Sequence, residues 1–164
     1  MKITHLGSGS RGNSVLLSTS ESNVLVDCGF SLKKTEARLD KLSVNPTDID
    51  AILVTHHHSD HSRSAKRAAR KWGARLISNA ETAKRMQWDD SEDLLVFSML
   101  ERIDAGVDMS LLTIPVPHDD AENVAVIACD DKGGRAAIVT DLGEVTAELS
   151  CLLYTSDAAD DGVG

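Results

Sequence analysis

The sequence predicts an α/β protein with a substantial antiparallel component. Short apolar runs first alternate with amphipathic helical segments, and later in the chain strand-like runs predominate. The length of 164 residues and the hydrophobic content of 41% suit one folded domain and argue against wholesale disorder. We find no internal repeat and no low-complexity tract.

The predicted strands are short runs of apolar and β-branched residues bounded by turn residues. They cover residues 3–6, 15–18, 24–26, 51–54, 75–77, 95–97, 111–116, 124–128 and 136–139. Three helices are predicted from amphipathic spacing: residues 31–42, with Ser31 as N-cap, a strongly basic segment at 62–72, and a short helix near 81–87.

Charge and cysteine usage restrict the classes of function. Asp and Glu outnumber Lys and Arg by 26 to 17, and the net charge of −9 argues against a general polyanion-coating protein, although a local basic face remains compatible. Three scattered cysteines provide neither a disulfide framework nor a zinc ribbon. Without a signal peptide or an apolar run long enough to span a membrane, we expect a cytoplasmic protein.

The last fourteen residues, 151–164, differ from the rest of the chain. They resemble the in-frame translation of a sequencing adapter, and the alternative is an ordinary polar tail. We therefore expect a domain over residues 1–150 followed by a non-native tail, with the natural protein continuing beyond the sequence shown.

Four apolar runs each end in a residue that can bind metal. These residues are Asp27, His56, His118 and Asp141. Because ligands collect beyond the carboxyl ends of strands in sheets of this class, we expect a metal pocket at one sheet edge.

The densest signal is the run from His56 to His61. In an extended segment His56 and His58 point the same way and can bind one ion together, while His57 points away. A turn at residue 59 would bring Asp60 and His61 round to a second ion, with a helix starting near residue 62. Imidazole and carboxylate ligands suit Zn, Fe or Mn. A fortuitous polar loop is the alternative.

This run resembles the His-x-His-x-Asp-His signature of the metallo-β-lactamase fold superfamily, and the likeness covers nearly all of residues 1–150. Three further motifs resemble its YycJ-like (WalJ-like) branch of DNA-processing exonucleases: Gly-Ser-Gly-Ser-Arg-Gly-Asn-Ser at 7–14, Val-Pro-His-Asp ending at Asp119, and Thr-Asp-Leu-Gly ending at Gly143. The resemblance implies an αββα sandwich, incomplete at its C-terminal half.

The resemblance also implies a site with two divalent metal ions, zinc first and Mn or Fe as alternatives. His56, His58 and His118 would hold the first ion, Asp60 and His61 the second, and Asp141 would bridge them. Asp27 matches a family aspartate that supports the histidine loop without binding metal.

Alternatives remain at two of these positions when the residues are considered alone. His118 is either a ligand or a surface histidine after Pro117, and Asp141 is either a ligand or a helix cap. Family members carry a further histidine ligand downstream, but no histidine follows His118. We therefore expect an incomplete ligand set at the second ion.

Two further segments are candidate substrate contacts. The glycine loop at 7–12 also fits Gly-x-Gly-x-x-Gly, but a strand follows it, which excludes a dinucleotide fingerprint. Ser8 and Ser10 within this loop, and Asn13 directly after it, either contact a substrate phosphate or belong to a plain hairpin connection. Lys66 and Arg70 lie on one face of the basic helix and either attract nucleic acid or form a solvated surface.

The resemblance implies a binuclear metal-dependent hydrolase, a phosphodiesterase or DNA exonuclease in which a metal-bound hydroxide attacks phosphorus. Asp60 is assigned the catalytic position, and nucleic acid is the expected partner. A small-molecule hydrolase of thioesters or lactones is the main alternative, and an inactive truncated fragment is another. β-Lactam hydrolysis of the kind carried out by the enzymes that place cysteine at the position of Asp141 is disfavoured by that aspartate. A redox di-iron site is disfavoured by His58, where Glu is typical.

Overall fold

The computed structural model describes residues 1–119, 121–143, 145–147 and 149–151, and these form two stacked β-sheets with helices on one outer face. The larger sheet, sheet A, comprises β1 (Lys2–Gly7), β2 (Ser14–Ser18), β3 (Asn23–Val26), β4 (Ala51–Leu53), β5 (Arg75–Ser78) and β6 (Leu94–Val96). The smaller sheet, sheet B, comprises β7 (Arg102–Asp104), β8 (Met109–His118), β9 (Ala121–Asp130) and β10 (Arg135–Ile138). The strands of sheet A lie side by side in chain order, and those of sheet B have the order β10-β9-β8-β7.

Strand direction changes within sheet A. Strands β1 to β3 pair antiparallel, whereas β3 to β6 are parallel and are connected through helices. Sheet B is antiparallel throughout. The predicted class, α/β with a substantial antiparallel component, is confirmed.

The core follows from the two-residue period of the strands. In β2, Val15 and Leu17 face sheet B and join the core between the sheets, whereas Leu16 faces the opposite way, toward the helices. There it packs in a cluster with Leu39 and Trp72. These layers correspond to the α, β and β layers of the predicted αββα sandwich. The outer face of sheet B has its own small apolar cluster, to which Leu149 contributes.

The helices that connect the parallel strands of sheet A follow those strands in chain order. They are α1 (Leu32–Asp40), α2 (Ser59–Ser62), α3 (Ala65–Trp72) and α4 (Ala80–Arg85), and a 3-10 turn covers Pro46–Asp48. The predicted N-cap is confirmed, since the Ser31 hydroxyl accepts a hydrogen bond from the Lys34 amide at 3.4 Å.

The prediction of a single basic helix over residues 62–72 is wrong, both in where the helix begins and in its being continuous. The structure has two helices, α2 and α3, separated at residues 63 and 64. The Ser64 amide bonds to the Cys28 carbonyl and the Cys28 amide bonds to the His61 carbonyl, which ties this junction to the end of β3. These contacts are between residues far apart in sequence, so helical periodicity does not reveal them.

The strands of sheet B also differ from the prediction, and β9 covers Ala121–Asp130 where 124–128 was predicted. Strand β7 was not predicted, because its three residues carry charges at both ends and show no apolar run. Strand β8 is longer than the predicted 111–116 and reaches His118 despite Pro115 and Pro117. Both prolines lie beyond the part of β8 that pairs with β7, so their missing N–H groups interrupt no ladder with that strand.

The expectation that the four strand ends share one sheet edge is wrong. Asp27 and His56 follow strands of sheet A, whereas His118 and Asp141 lie at the ends of strands of sheet B. The pocket is formed instead where the ends of two stacked sheets meet. Within the described residues no helix is long and apolar enough to cross a membrane. Apart from Cys151, the predicted non-native tail lies outside the described residues.

Candidate metal centre

Three histidines converge from both sheets into a possible metal site. One ring nitrogen of each of His56, His58 and His118 lies within 4.8 Å of those of the other two. His118 Nε2 is 3.2 Å from His58 Nδ1. Two imidazoles on a tetrahedral zinc ion, with Zn–N distances of about 2.05 Å, would have their nitrogens roughly 3.3 Å apart. The geometry of this pair therefore fits a shared zinc ion.

His56 is a fully buried member of the cluster. Its Nε2 has no hydrogen-bond partner among the described residues. Burial, together with the neighbouring imidazoles of His61, His58 and His118, lowers the pKa of His56 to about 3. A neutral imidazole with a free nitrogen is the form that binds metal.

The carboxylate of Asp141 lies at the centre of the cluster. Its Oδ2 is 2.7 Å from His61 Nε2, 3.4 Å from His56 Nε2 and 3.8 Å from His118 Nε2. His56, His61 and Asp141 form a second group in which one ligand atom of each lies within 4.8 Å of the others. The Asp141 carboxylate therefore lies beside imidazoles of both groups.

Asp60 and His61 reach the cluster from helix α2. His61 is fully buried, whereas Asp60 is partly exposed, and Asp60 Oδ2 lies 3.5 Å from His61 Nε2. Both residues lie in the first turn after His58, which places the carboxylate beside the second group of ligands. The structure thus brings all six predicted metal ligands together.

Asp27 supports this arrangement from behind His61. Its buried carboxylate lies 2.6 Å from His61 Nδ1 and accepts hydrogen bonds from the Thr55 amide at 2.8 Å and the Thr55 hydroxyl at 3.0 Å. Burial disfavours a charge on His61, but the hydrogen bond and the charge of Asp27 outweigh it and raise the pKa of His61. Asp27 therefore holds His61 so that Nε2 points into the cluster.

Thr55 is a supporting residue that the sequence interpretation missed. Besides bonding to Asp27, which in turn contacts His61 Nδ1, its hydroxyl lies 2.9 Å from His56 Nδ1, so Thr55 positions His56 directly and His61 through Asp27. Its place directly before His56 was visible in the motif. Only the fold shows that Asp27 lies beside it.

Asn13 and Gly29 hold helix α2 in place. Asn13 was predicted to contact substrate, but its side-chain amide donates to Asp60 Oδ2 at 3.2 Å and lies 3.2 Å from His61 Nε2. Its backbone amide bonds to the Asp60 carbonyl at 2.8 Å. Gly29 lies against the same carbonyl, and a Cβ atom there would overlap it.

Asn123 is another supporting residue that no sequence pattern indicated. It is buried in β9, and its side-chain amide donates to the Thr140 carbonyl at 2.9 Å and lies 3.4 Å from the Asp141 carbonyl. These bonds hold the segment after β10 in a conformation in which Asp141 has a φ of 50°. A buried asparagine within a strand therefore fixes the segment that carries the Asp141 carboxylate.

The remaining predicted contacts lie outside the cluster. Ser8 and Ser10 are exposed in the loop after β1, and the strand β2 that follows confirms that this is not a dinucleotide fingerprint. Arg70 is exposed on α3, whereas the Lys66 ammonium pairs with Asp90 at 2.6 Å. Their contact with substrate stays a prediction.

Comparison with known proteins decides the family. The Metallo-beta-lactamase superfamily matches residues 7–161. The chain belongs to this superfamily. The predicted membership of the metallo-β-lactamase fold superfamily is confirmed.

Curated relatives and solved structures extend this result. The chain is 35% identical over 163 residues to exodeoxyribonuclease WalJ of Streptococcus pneumoniae, covering 95% of this chain and 60% of that protein. It is 32% identical over 162 residues to exodeoxyribonuclease YycJ of Bacillus anthracis, covering 93% and 59%. The chain thus spans about 60% of the length of these relatives. A metallo-β-lactamase of Cronobacter sakazakii with a HARLDQ motif superposes with a TM-score of 0.70 at 18% identity, covering 96% and 72%, which shows the shared fold alone.

Proposed function

We propose that this chain contains the metal-binding portion of a nuclease that hydrolyses phosphodiester bonds in DNA. The observation that carries the proposal is the convergence of His56, His58, His118 and Asp141 around one centre. The likeness to two curated relatives named exodeoxyribonucleases supports DNA as the substrate. A cytoplasmic location stays a prediction from the sequence.

Two ions are proposed because the ligands form two overlapping groups. His56, His58 and His118 would hold one ion, and Asp60 and His61 the other, with Asp141 between them. No thiol belongs to either of the two described groups, which favours Zn, Mn or Fe. Bound divalent ions would supply an activated water and neutralise charge on the phosphate oxygens.

Neighbouring side chains orient the proposed ligands. Asp27 and Thr55 occupy the outward nitrogens of His61 and His56, which leaves the Nε2 atoms of both rings directed at the centre. Asp60 and Asp141 are partly accessible, so the centre opens to solvent on the carboxylate side. A phosphodiester can approach from this side while the buried imidazoles stay fixed.

The test compares His58→Ala with His5→Ala in the full-length protein. His5 is exposed on β1, so its replacement removes an imidazole without touching the cluster. With zinc or manganese present, we expect wild type and His5→Ala to degrade labelled single- and double-stranded DNA equally. His58→Ala should lose at least about a hundredfold in rate.

Equal DNA hydrolysis by His58→Ala and His5→Ala would contradict the assignment of the metal centre. A wild-type protein that leaves DNA intact but hydrolyses a thioester or a lactone would instead identify a small-molecule hydrolase. The same reaction series therefore separates the two substrate classes.

A further inference from the structure

A cavity of about 500 Å³ lies between the β1–β2 loop and helix α1, outside the metal cluster. We call it the α1 cavity. Four cationic side chains line it, and its lining includes no Asp or Glu. In a chain with a net charge of −9, such a concentration of positive charge is unusual. The four cations are Arg11, Lys34, Arg38 and Lys41.

Three of these cations are available to a ligand. Arg11, Lys34 and Lys41 are exposed, and their side chains form no hydrogen bond or ion pair with the described part of the chain. Lys34 and Lys41 are separated by seven residues, two helical turns, so they lie along one face of α1 and its end. The cavity therefore has unpaired donors along one wall.

The fourth cation is fixed in place. The Arg38 guanidinium donates to the Leu6 carbonyl at 2.6 Å and lies 4.1 Å from the centre of the Phe30 ring. A guanidinium has five N–H donors, and this contact uses only part of them. Arg38 is thus a pre-positioned donor, the kind of group that binds phosphate oxygens strongly.

The basic helix α3 differs from the α1 cavity because some of its cations form ion pairs. Lys66 pairs with Asp90 at 2.6 Å and Lys71 pairs with Glu36 at 2.7 Å. Two of its cations are therefore already compensated by carboxylates. The α1 cavity is the better candidate for a bound anion.

One loop connects the α1 cavity with the metal cluster. Gly12 lines the cavity, and its neighbour Asn13 contacts Asp60 and His61 at the cluster. Gly12 has a φ of 146°, and a Cβ atom there would meet the Phe30 ring at 2.5 Å. The close packing of this loop therefore fixes the cavity relative to the cluster.

We propose that the α1 cavity binds a phosphate group of the nucleic-acid strand whose scissile phosphodiester lies at the metal cluster. This inference rests on the proposed function. A nucleic-acid strand carries a phosphate at every nucleotide, so a strand bound at the cluster presents further phosphates to either side. The cavity supplies the cations for one of them.

The test compares two double variants of the full-length, metal-loaded protein. Lys34→Gln with Lys41→Gln removes two positive charges from the cavity. Lys132→Gln with Arg135→Gln removes two exposed charges, one from the turn after β9 and one from the first residue of β10. KM and kcat for oligonucleotide cleavage are measured over a series of salt concentrations.

We expect the cavity variant to raise KM about tenfold at low salt with kcat unchanged. The slope of log KM against log salt concentration should fall by about 1, because one phosphate contact is lost. The turn variant should retain the wild-type KM and slope. Equal KM values and slopes in the two variants would overturn the proposal while leaving the proposed function intact.

Substrates with 5′-phosphate, 3′-phosphate or hydroxyl ends distinguish the source of the phosphate. If the tenfold effect disappears for hydroxyl-ended strands, the cavity binds a terminal phosphate. If it persists, the cavity binds an internal phosphodiester. A wild-type protein that cuts no DNA would overturn both the proposed function and this inference.

Discussion

Asp27→Asn isolates the contribution of a buried charge behind the metal cluster. Asp27 is 1% exposed and has a φ of 65°. Its carboxylate accepts hydrogen bonds from the Thr55 amide and hydroxyl and lies against His61 Nδ1, groups that orient the site. Asparagine has the same shape and tolerates this left-handed conformation, so the substitution removes charge without adding backbone strain.

The expected loss is one of metal affinity. The 2.6 Å contact between Asp27 and His61 makes the imidazole a better ligand and fixes its orientation. Replacing such outer partners typically weakens metal binding by about 10- to 100-fold. At about 1.4 kcal/mol per factor of ten, this corresponds to about 1.4 to 2.8 kcal/mol.

Competition with a chromophoric chelator measures this affinity in the full-length protein. Asp131→Asn is the matched control, because Asp131 is exposed and lies in the turn after β9. We expect Asp131→Asn to bind zinc like wild type. An unchanged zinc affinity in Asp27→Asn would refute the role of Asp27 in positioning His61.

Three further predictions follow from the packing around the cluster. Gly29→Ala places a Cβ atom against the Asp60 carbonyl, so urea denaturation should show a loss of about 1–3 kcal/mol in unfolding free energy, together with weaker metal binding. Asn123→Ala frees the segment that carries Asp141, and steady-state kinetics should show a lower kcat with little change in KM. Burial raises the pKa of the Cys28 thiol to about 12, so mass spectrometry should find it unalkylated at pH 8 in the native protein and alkylated in urea. Unchanged stability of Gly29→Ala would contradict the first prediction, and an unchanged kcat of Asn123→Ala the second. Rapid alkylation of Cys28 in the native protein would contradict the third.

The strands of sheet A were predictable because their sequence is strongly patterned. Residues 15–17 and 24–26 are apolar throughout, as expected of strands covered on both faces, and the structure buries both runs. Strand β7 lacked this signal, since only Ile103 of its three residues is buried. A short edge strand is defined by its pairing with β8 and has little pattern of its own.

The convergence of the candidate metal ligands was predictable for a different reason. Each predicted ligand follows an apolar run or lies within the histidine motif, and that arrangement is visible in the sequence. The supporting residues were not predictable in the same way. Asn123 reaches the Thr140 carbonyl across seventeen residues of chain, and Asn13 reaches Asp60 across 47, so their roles depend on the finished fold.

The prediction of one sheet edge failed because strand ends give no information on which sheet a strand joins. Asp27 and Asp141 both follow strands and both have positive φ, yet they approach the cluster from different sheets. Stacking of two sheets, with the core between them, brings their ends together.

Metal content of the purified full-length protein tests the central claim most directly. After equilibration with zinc and removal of free ions, elemental analysis of wild type should find close to two ions per chain. His118 belongs to one ligand group and His56 to both, so His118→Ala should lose one ion and His56→Ala should retain less metal than His118→Ala. His5→Ala should match wild type. Wild-type protein without bound zinc, or equal zinc content in wild type and His56→Ala, would contradict the claim that these distant segments together form a metal centre.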